Sequence, residues 1–197
     1  MARQRTEGTA ALKNGEHYNY HDYCTWPEDE RWELIAGTAY AMSPAPRRKH
    51  QGMVVALNVQ LGRHFAGKTC RPYISPIDVF LPADDEALAD IDTVVQPDLL
   101  VVCDPAKLID EGIKGAPDFI IEILSPSSAL RDQSEKRRLY EAKGVREYWI
   151  VNPNTLEVFI YRLRDGAYGL PAVASLASPT AVAIFPGLEL AVNEAEL

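Results

Sequence analysis

The hydrophobic positions along the chain follow two periodicities, and each periodicity predicts a different kind of element. Apolar residues at positions 53, 54, 57, 61 and 65 have helical spacing and predict one amphipathic helix over residues 47 to 65. A second helix is predicted from about Leu130 to Lys143, capped by Ser127 or Ser128 and ended by Gly144. Strands are predicted in the short apolar segments "RWELIAGTAYAMSP", "RPYISPIDVFLP", "QPDLLVVC", "REYWIVNP" and "LEVFIYRLR". Helices lie between the strands, so we predict an α/β (α+β) domain with a central mixed β-sheet flanked by helices.

One further apolar segment, "PDFIIEILSPSS" at residues 117 to 128, contains two acidic residues. Because side chains alternate faces along a strand, Asp118 and Glu122 are predicted to lie on the same face. An ionised carboxylate in an apolar strand is unfavourable unless it is paired or bound to a metal. A salt bridge from Glu122 to Lys136 or Arg137 and a bound cation are both open explanations.

The length and composition indicate one ordinary globular domain. The chain has 197 residues, 47% of them hydrophobic and 24% charged. We expect residues 1–17 to be a flexible tail and residues 18–197 to form the domain. No segment approaches the roughly 18 apolar residues of a membrane span, and the N-terminus lacks an apolar signal core, so we expect a cytoplasmic protein that does not bind membranes. Three widely separated cysteines, at positions 24, 70 and 103, argue against a disulfide framework and indicate reduced thiols.

The charge distribution limits the possible partners. A net charge of −8 is unfavourable for a general nucleic-acid coat. Two basic segments, at 46 to 51 and 131 to 146, could still hold a duplex if both face one cleft. The sequence lacks the phosphate-binding, dinucleotide-binding, serine-hydrolase and zinc-protease motifs.

Three segments combine residues that could carry out phosphodiester chemistry: "PDLLVV" with Asp98, "PDFIIEIL" with Glu122, and "RDQSEKRRLY" with Asp132, Lys136 and Tyr140. The last three residues are four apart and share one helical face. If the strands of Asp98 and Glu122 are neighbours, their carboxylates can converge on Mg²⁺ or Mn²⁺, which is usually held by one or two carboxylates with substrate phosphates and waters. A nearby lysine could stabilise the charge that develops during cleavage, or help to activate water.

This combination resembles the PD-(D/E)XK nuclease superfamily, and within it the Uma-type restriction endonuclease family. The resemblance covers roughly residues 18 to 190 through "RWELIAGTAYAMSPAPRRKH", "QPDLLVVCD", "GAPDFIIEILSPSS", "RDQSEKRRLYEAKGVREYWIVNP" and "FPGLEL". It implies a restriction-endonuclease-like core, a metal held by Asp98 and Glu122, DNA as the substrate, and nuclease activity. It also implies an accessory role for Glu33 in "WELIAG", since an N-terminal element often supplies an acid to such sites.

One position departs from the superfamily pattern. The motif places lysine two residues after the second acid, where this chain has Leu124. Lys136, on the following helix, is the candidate replacement. The resulting hypothesis is an Mg²⁺-dependent or Mn²⁺-dependent DNA endonuclease, with a homodimer plausible because cutting both strands needs two sites.

Several residues near these motifs also have ordinary structural explanations. Asp118 is compatible with a turn or a sheet edge, Tyr140 with packing or a hydrogen bond at the site, and His50 with a structural role. Asp132 and Lys136 are compatible with a surface pair. The alternative function is a nuclease-fold module that binds nucleic acid or protein without catalysis.

Overall fold

The computed structural model describes residues 16–27, 29–42, 45–126 and 129–197. Residues 1–15 of the predicted tail and the predicted cap residues Ser127 and Ser128 lie outside these ranges. The described helices are α1 (Tyr20–Tyr23), α2 (Arg48–Phe65) and α3, which consists of the consecutive segments Ala129–Arg131, Asp132–Lys136 and Arg137–Lys143; short 3-10 turns are Leu88–Asp90, Pro105–Lys107 and Glu194–Glu196.

The strands are β1 (Trp32–Ile35), β2 (Thr38–Ala41), β3 (Arg71–Ile74), β4 (Val79–Phe80), β5 (Val94–Val95), β6 (Leu99–Val102), β7 (Leu108–Ile109), β8 (Gly112–Lys114), β9 (Phe119–Ile123), β10 (Glu147–Val151), β11 (Glu157–Arg164), β12 (Ala167–Tyr168), β13 (Ala172–Ser175), β14 (Thr180–Ala181) and β15 (Glu189–Leu190).

Two mixed sheets organise the domain. The seven-stranded main sheet has the order β12-β11-β10-β9-β6-β3, with β13 paired to β11. Strands β9 and β10 are parallel, whereas β6 runs antiparallel to β9. The second sheet has the order β2-β1-β5-β4-β8-β7, and β14 pairs with β15 separately. Mixed sheets with few helices confirm the predicted α+β class.

The main sheet is covered on both faces, which explains why its central strands are apolar throughout. Helix α2 contributes Met53, Leu57 and Leu61 to the core on one face. On the other face, residues of α3 and of the second sheet pack against β6, β9 and β10, among them Tyr140, Val79 and Val95. A strand buried on both faces must be apolar at odd and even positions. Any charged residue that remains in it therefore needs a specific partner.

Helix α3 contains an irregularity that the sequence pattern does not reveal. Its middle segment, Asp132–Lys136, is π-helical and lies between two α-helical segments. Both terminal residues of the π segment are buried. The helix ends at Gly144, which adopts the left-handed conformation with φ 85° that a C-terminal glycine permits. Single π turns inside α-helices are frequent at functional sites.

Two predictions about local structure are wrong. The segment "DPAKLIDEGIKGA", residues 104 to 116, predicts at most a short helix before Pro117, but beside the 3-10 turn Pro105–Lys107 it forms the β7–β8 hairpin. The cysteines were expected to be reduced, but Cys70 and Cys103 form a disulfide. They directly flank the paired residues Arg71 and Val102 of β3 and β6, so the sheet register places their Cα atoms 3.9 Å apart. Cys24 is free and exposed.

Reduction of this disulfide is expected to lower the free energy of unfolding by about 3 to 4 kcal/mol, because the bond closes a long loop in the unfolded chain. The two cysteines are 33 residues apart. Urea denaturation with and without dithiothreitol measures the difference, and Cys24→Ser is the control that should leave it unchanged. Equal stability of the oxidised and reduced proteins would contradict this expectation.

Among the helices in the described ranges, none combines the length and apolar character needed to cross a bilayer.

Candidate active site

Asp98 and Glu122 lie side by side on neighbouring strands. Leu99 of β6 pairs with Ile121 of β9, so the antiparallel register places Asp98 opposite Glu122. The backbone N–H of Asp98 donates to Glu122 Oε2 at 3.3 Å, and the backbone N–H of Ile123 donates to Asp98 Oδ2 at 2.8 Å. The backbone of each strand therefore orients the carboxylate of the other.

Lys136 reaches this pair of strands from the π segment of α3. Its Nζ lies 2.9 Å from Glu122 Oε1 and 2.7 Å from Glu33 Oε1. Asp132 Oδ1, one helical turn away, is 3.8 Å from the same nitrogen. All four side chains are buried, and Lys136 is only 3% exposed. The salt bridge to Lys136 therefore explains in part why Glu122 is tolerated in the apolar strand β9.

Glu33 joins the cluster from the second sheet, where it lies in β1. Its Oε1 accepts a hydrogen bond of 2.9 Å from the backbone N–H of Gln96, two residues before Asp98. Its Oε2 lies 3.7 Å from a guanidinium nitrogen of Arg131. Glu33 thus connects the second sheet, the loop before β6 and helix α3 at one point.

Two further side chains hold the acids in place. The Tyr140 hydroxyl donates to Glu122 Oε1 at 2.9 Å. His50, in the first turns of α2, places Nε2 3.2 Å from Asp98 Oδ2. Burial lowers the pKa of His50, but the hydrogen bond and charge of Asp98, with the Ile123 carbonyl and Asp132, outweigh that effect and raise it. Tyr140 and His50 therefore both belong to this cluster.

The cluster carries excess negative charge. Burial raises the pKa of Glu122 well above its usual value, and the charges of Asp132, Asp98 and Glu33 raise it further. The positive charge of Lys136 lowers this pKa but does not cancel the increase. Burial by itself lowers the pKa of Lys136, yet Glu122, Glu33 and Asp132 together raise it well above the usual value. Lys136 is therefore a cation at neutral pH, and the cluster as a whole attracts further positive charge.

A cleft of about 420 Å³ opens onto the cluster. Its lining includes Glu33, His50, Asp98, Glu122, Asp132 and Lys136, together with Arg31, Gln96 and Arg131. Helix α2 forms one wall, and residues of β1, β3 and α3 contribute to the others. A substrate in this cleft would reach the partly exposed carboxylate of Asp98 and would lie next to the buried acids behind it.

Other residues considered from the sequence lie elsewhere. Asp118 Oδ2 accepts from the backbone N–H of Cys103 at 2.8 Å, and Oδ1 lies 3.3 Å from Arg146, so Asp118 stabilises the opposite end of the strands. Leu124 packs against the apolar core that contains Tyr140. Of the two basic segments, the first contributes His50 to the cleft and the second Arg131 and Lys136. Arg146, also in the second segment, forms a salt bridge with Asp118.

Sequence reasoning missed Gln96 and Arg31 as cleft residues, whereas Arg131 belongs to the basic segment at 131 to 146. Gln96 is only 7% exposed and precedes Pro97, which suggests an ordinary strand entry. The local sequence gives no signal that its backbone N–H binds an acid 63 residues earlier.

In the part of the chain that the structure describes, no three or more His, Cys, Asp or Glu side chains are grouped as a ready-made metal cage. Asp98 and Glu122 are instead a two-carboxylate set at an open cleft. Mg²⁺ is commonly bound by one or two carboxylates, with waters and substrate phosphates completing the shell. The donor chemistry and the excess negative charge therefore fit a hard divalent cation.

Comparison with known proteins agrees with the family that the sequence resembles. Residues 19–193 match the model of the Uma2 family, described as "Putative restriction endonuclease". The uncharacterized protein slr1290 of Synechocystis sp. is 26% identical over 147 residues, which cover 73% of this chain and 73% of that protein. A crystal structure of a putative nuclease belonging to DUF820 from Anabaena variabilis superposes with a TM-score of 0.69 at 19% identity, covering 89% of this chain and 96% of that one. The family match extends from α1 to the C-terminal segment and includes every residue of the cluster, and so this chain belongs to the Uma2 family of putative restriction endonucleases.

Proposed function

We propose that this protein is a metal-dependent DNA endonuclease that hydrolyses phosphodiester bonds in the cleft beside Asp98, Glu122 and Lys136. The observation that carries this proposal is the meeting of the carboxylates of Asp98 and Glu122 with the buried Lys136 at one open cleft. Family membership supports a nuclease in general. The chain also shares its fold with the putative nuclease from Anabaena variabilis.

Asp98 and Glu122 would hold Mg²⁺ or Mn²⁺ in this proposal. A divalent cation bound there would supply Lewis-acid stabilisation of phosphate charge and lower the pKa of a bound water. The two carboxylates are oriented before any substrate arrives, because the backbone N–H of Asp98 donates to Glu122 and that of Ile123 donates to Asp98. Preorganised groups of this kind lose little energy to reorganisation during a reaction.

Lys136 would act as a fixed positive charge and hydrogen-bond donor. Its raised pKa keeps the ammonium group protonated at neutral pH, so it is unsuited to remove a proton from water. An ammonium group against the cleft can instead stabilise negative charge that develops on a phosphate oxygen. Of the two roles that the sequence left open for Lys136, charge stabilisation and activation of water, we therefore assign it charge stabilisation.

Glu33 would act mainly as a positioning residue in this scheme. Its Oε1 is shared between Lys136 and the backbone of Gln96, which fixes the lysine relative to Glu122. The Tyr140 hydroxyl donates a second hydrogen bond to Glu122 Oε1, the oxygen that also contacts Lys136. An accessory metal contact by Glu33 remains part of the hypothesis, but positioning Lys136 is the role that its observed partners favour.

Asp98→Asn is expected to abolish metal binding and metal-dependent cleavage. The change removes one of two ligand charges but retains the shape of the side chain, so folding should be nearly unaffected. Titration calorimetry with Mn²⁺ measures metal binding. Cleavage of supercoiled and linear DNA in Mg²⁺ or Mn²⁺ measures the activity. Glu189→Gln, at an exposed carboxylate of β15, is the matched control.

An Asp98→Asn protein that binds Mn²⁺ and cleaves at the wild-type rate would reject the metal assignment. Wild-type protein that cleaves equally well in EDTA would reject metal dependence.

A binding module without catalysis is the second candidate function. It is favoured by Leu124 at the usual lysine position and by the engagement of Lys136 with two carboxylates of its own protein. Tight DNA binding without cleavage in any divalent metal, unchanged by Asp98→Asn, would support this alternative.

A further inference from the structure

Arg31 lies at the entrance to β1 and lines the same cleft as Asp98, Glu122 and Lys136. Unlike Lys136, it is exposed. Glu33, two residues later in β1, is part of the buried cluster. Arg31 therefore lies in the cleft wall close to that cluster.

The guanidinium of Arg31 is held by neutral oxygen atoms. Its Nε donates to Gln96 Oε1 at 3.1 Å, and its Nη2 donates to the same oxygen at 2.5 Å and to Ser75 Oγ at 2.8 Å. Gln96 is itself anchored, because its Nε2 donates to Asp78 Oδ1 at 2.8 Å and to the Tyr23 hydroxyl at 3.2 Å. Arg31 is therefore fixed in direction by neutral acceptors, although its charge also acts on the Asp78 carboxylate beyond Gln96.

The other basic side chains of the cleft face carboxylates. Lys136 contacts Glu33 and Glu122, Arg131 lies 3.7 Å from Glu33, and His50 contacts Asp98. Arg131 is also stacked over the ring of Tyr40. Within the described ranges, Arg31 has no carboxylate oxygen within the 4.0 Å of an ion pair, so it is the cleft cation best able to accept an external anion.

We propose that Arg31 binds a backbone phosphate of the nucleic acid and orients the strand toward Asp98 and Glu122. This inference rests on the proposed function and adds a residue outside both basic segments of the sequence. Arginine presents a planar set of donors that matches phosphate oxygens, and one edge of this guanidinium is already oriented by Gln96 and Ser75. The phosphate would contact the remaining donors.

The test is duplex binding over a series of KCl concentrations. A short fluorescein-labelled duplex is titrated with the whole protein in EDTA and in Ca²⁺, which takes oxygen ligands as Mg²⁺ does. Arg31→Met is expected to weaken binding about tenfold. It should also reduce the slope of log K against log salt by about 0.9, the contribution of one phosphate contact.

Three further variants make the result specific. Arg31→Lys keeps the charge and should retain the wild-type slope, although it loses the planar contact. Arg164→Met, at an exposed arginine near the far end of β11, should change neither affinity nor slope. Arg31→Gln gives the same test as Arg31→Met if the methionine variant fails to fold by circular dichroism.

Unchanged affinity and slope in Arg31→Met, with wild-type protein that binds and cleaves DNA, would overturn this inference and leave the proposed function standing. Loss of the slope contribution in a protein that never cleaves DNA would support Arg31 as a phosphate contact and reject the endonuclease. Wild-type protein that binds no DNA in either buffer would overturn both.

Discussion

Lys136→Met is expected to lower the free energy of unfolding by about 3 to 5 kcal/mol at neutral pH, because removing one partner of a buried ion pair leaves uncompensated charge. Here the loss affects three acids, since Lys136 Nζ contacts Glu33 and Glu122 and lies 3.8 Å from Asp132 Oδ1. Urea denaturation followed by tryptophan fluorescence measures the change. Lys49→Met is the control, because the Lys49–Glu194 pair is exposed and should contribute less than about 1 kcal/mol.

The triple variant Glu33→Gln, Glu122→Gln, Lys136→Met should recover most of this stability. This variant removes Lys136 together with the two acids that it hydrogen-bonds, so neither of those acids is left as an unpaired buried charge. Asp132, whose Oδ1 lies 3.8 Å from Lys136 Nζ, stays in place. Recovery would mean that the charges are retained for a reason other than folding. A triple variant as unstable as Lys136→Met would contradict this interpretation and point to lost packing around the lysine stem.

The stability deficit of Lys136→Met should also depend on pH. Burial already raises the pKa of Glu122 in the presence of Lys136, and without the lysine that shift can only grow. A carboxyl group with a raised folded-state pKa binds protons more readily in the folded state than in the unfolded state, so stability falls as pH rises. The deficit should therefore be smaller near about pH 5 than near about pH 8. A deficit that grows on acidification would exclude buried carboxylates as its cause.

The elements that could be predicted from the sequence are those whose periodicity is local. Helix α2 was predicted over 47 to 65 and is observed at Arg48–Phe65, because one apolar stripe packs on the sheet. The strand containing Glu122 was predicted from its apolar run, and the register with β6 places Asp98 opposite it. The β7–β8 hairpin was missed because its strands are two and three residues long. Such strands leave almost no pattern.

The features that could not be predicted depend on contacts between distant segments. The disulfide follows from the β3–β6 pairing, which no count of cysteines reveals. The position of Lys136 follows from packing of α3 over β9 and from the π segment, whereas helical spacing alone allowed a surface pair with Asp132. Gln96 enters the site through its backbone N–H, a group that every residue except proline possesses. Its contribution is invisible until β1 and the loop before β6 are placed together.

The arrangement of ion pairs suggests that Glu122 and Lys136 have separable roles. Lys136 is within hydrogen-bond distance of two acids, so loss of Glu122 alone still leaves it paired with Glu33 at 2.7 Å. Loss of Lys136 leaves both acids without their shared cation. The two positions should therefore respond differently to neutral substitution, one mainly in activity and the other in both activity and stability.

Glu122→Gln is accordingly expected to reduce metal-dependent cleavage by at least about 1000-fold, since the charge stabilisation attributed to a bound metal amounts to several kcal/mol. The unfolding free energy should change by only about 1 kcal/mol, because glutamine avoids the cost of burying a carboxylate and can still accept from Tyr140. Single-turnover cleavage and urea denaturation measure the two effects on the same preparations.

Glu147→Gln is the matched control for this substitution. Glu147 is a fully buried glutamate on the adjacent strand β10, but it bonds Trp149 Nε1 at 2.7 Å and the backbone of Ile184 and does not line the cleft. Its replacement should affect stability and leave cleavage by the folded protein unchanged. If Glu122→Gln cleaves at the wild-type rate while binding Mn²⁺ normally, the negative charge in β9 serves only to pair with Lys136, and the catalytic assignment of Glu122 is wrong.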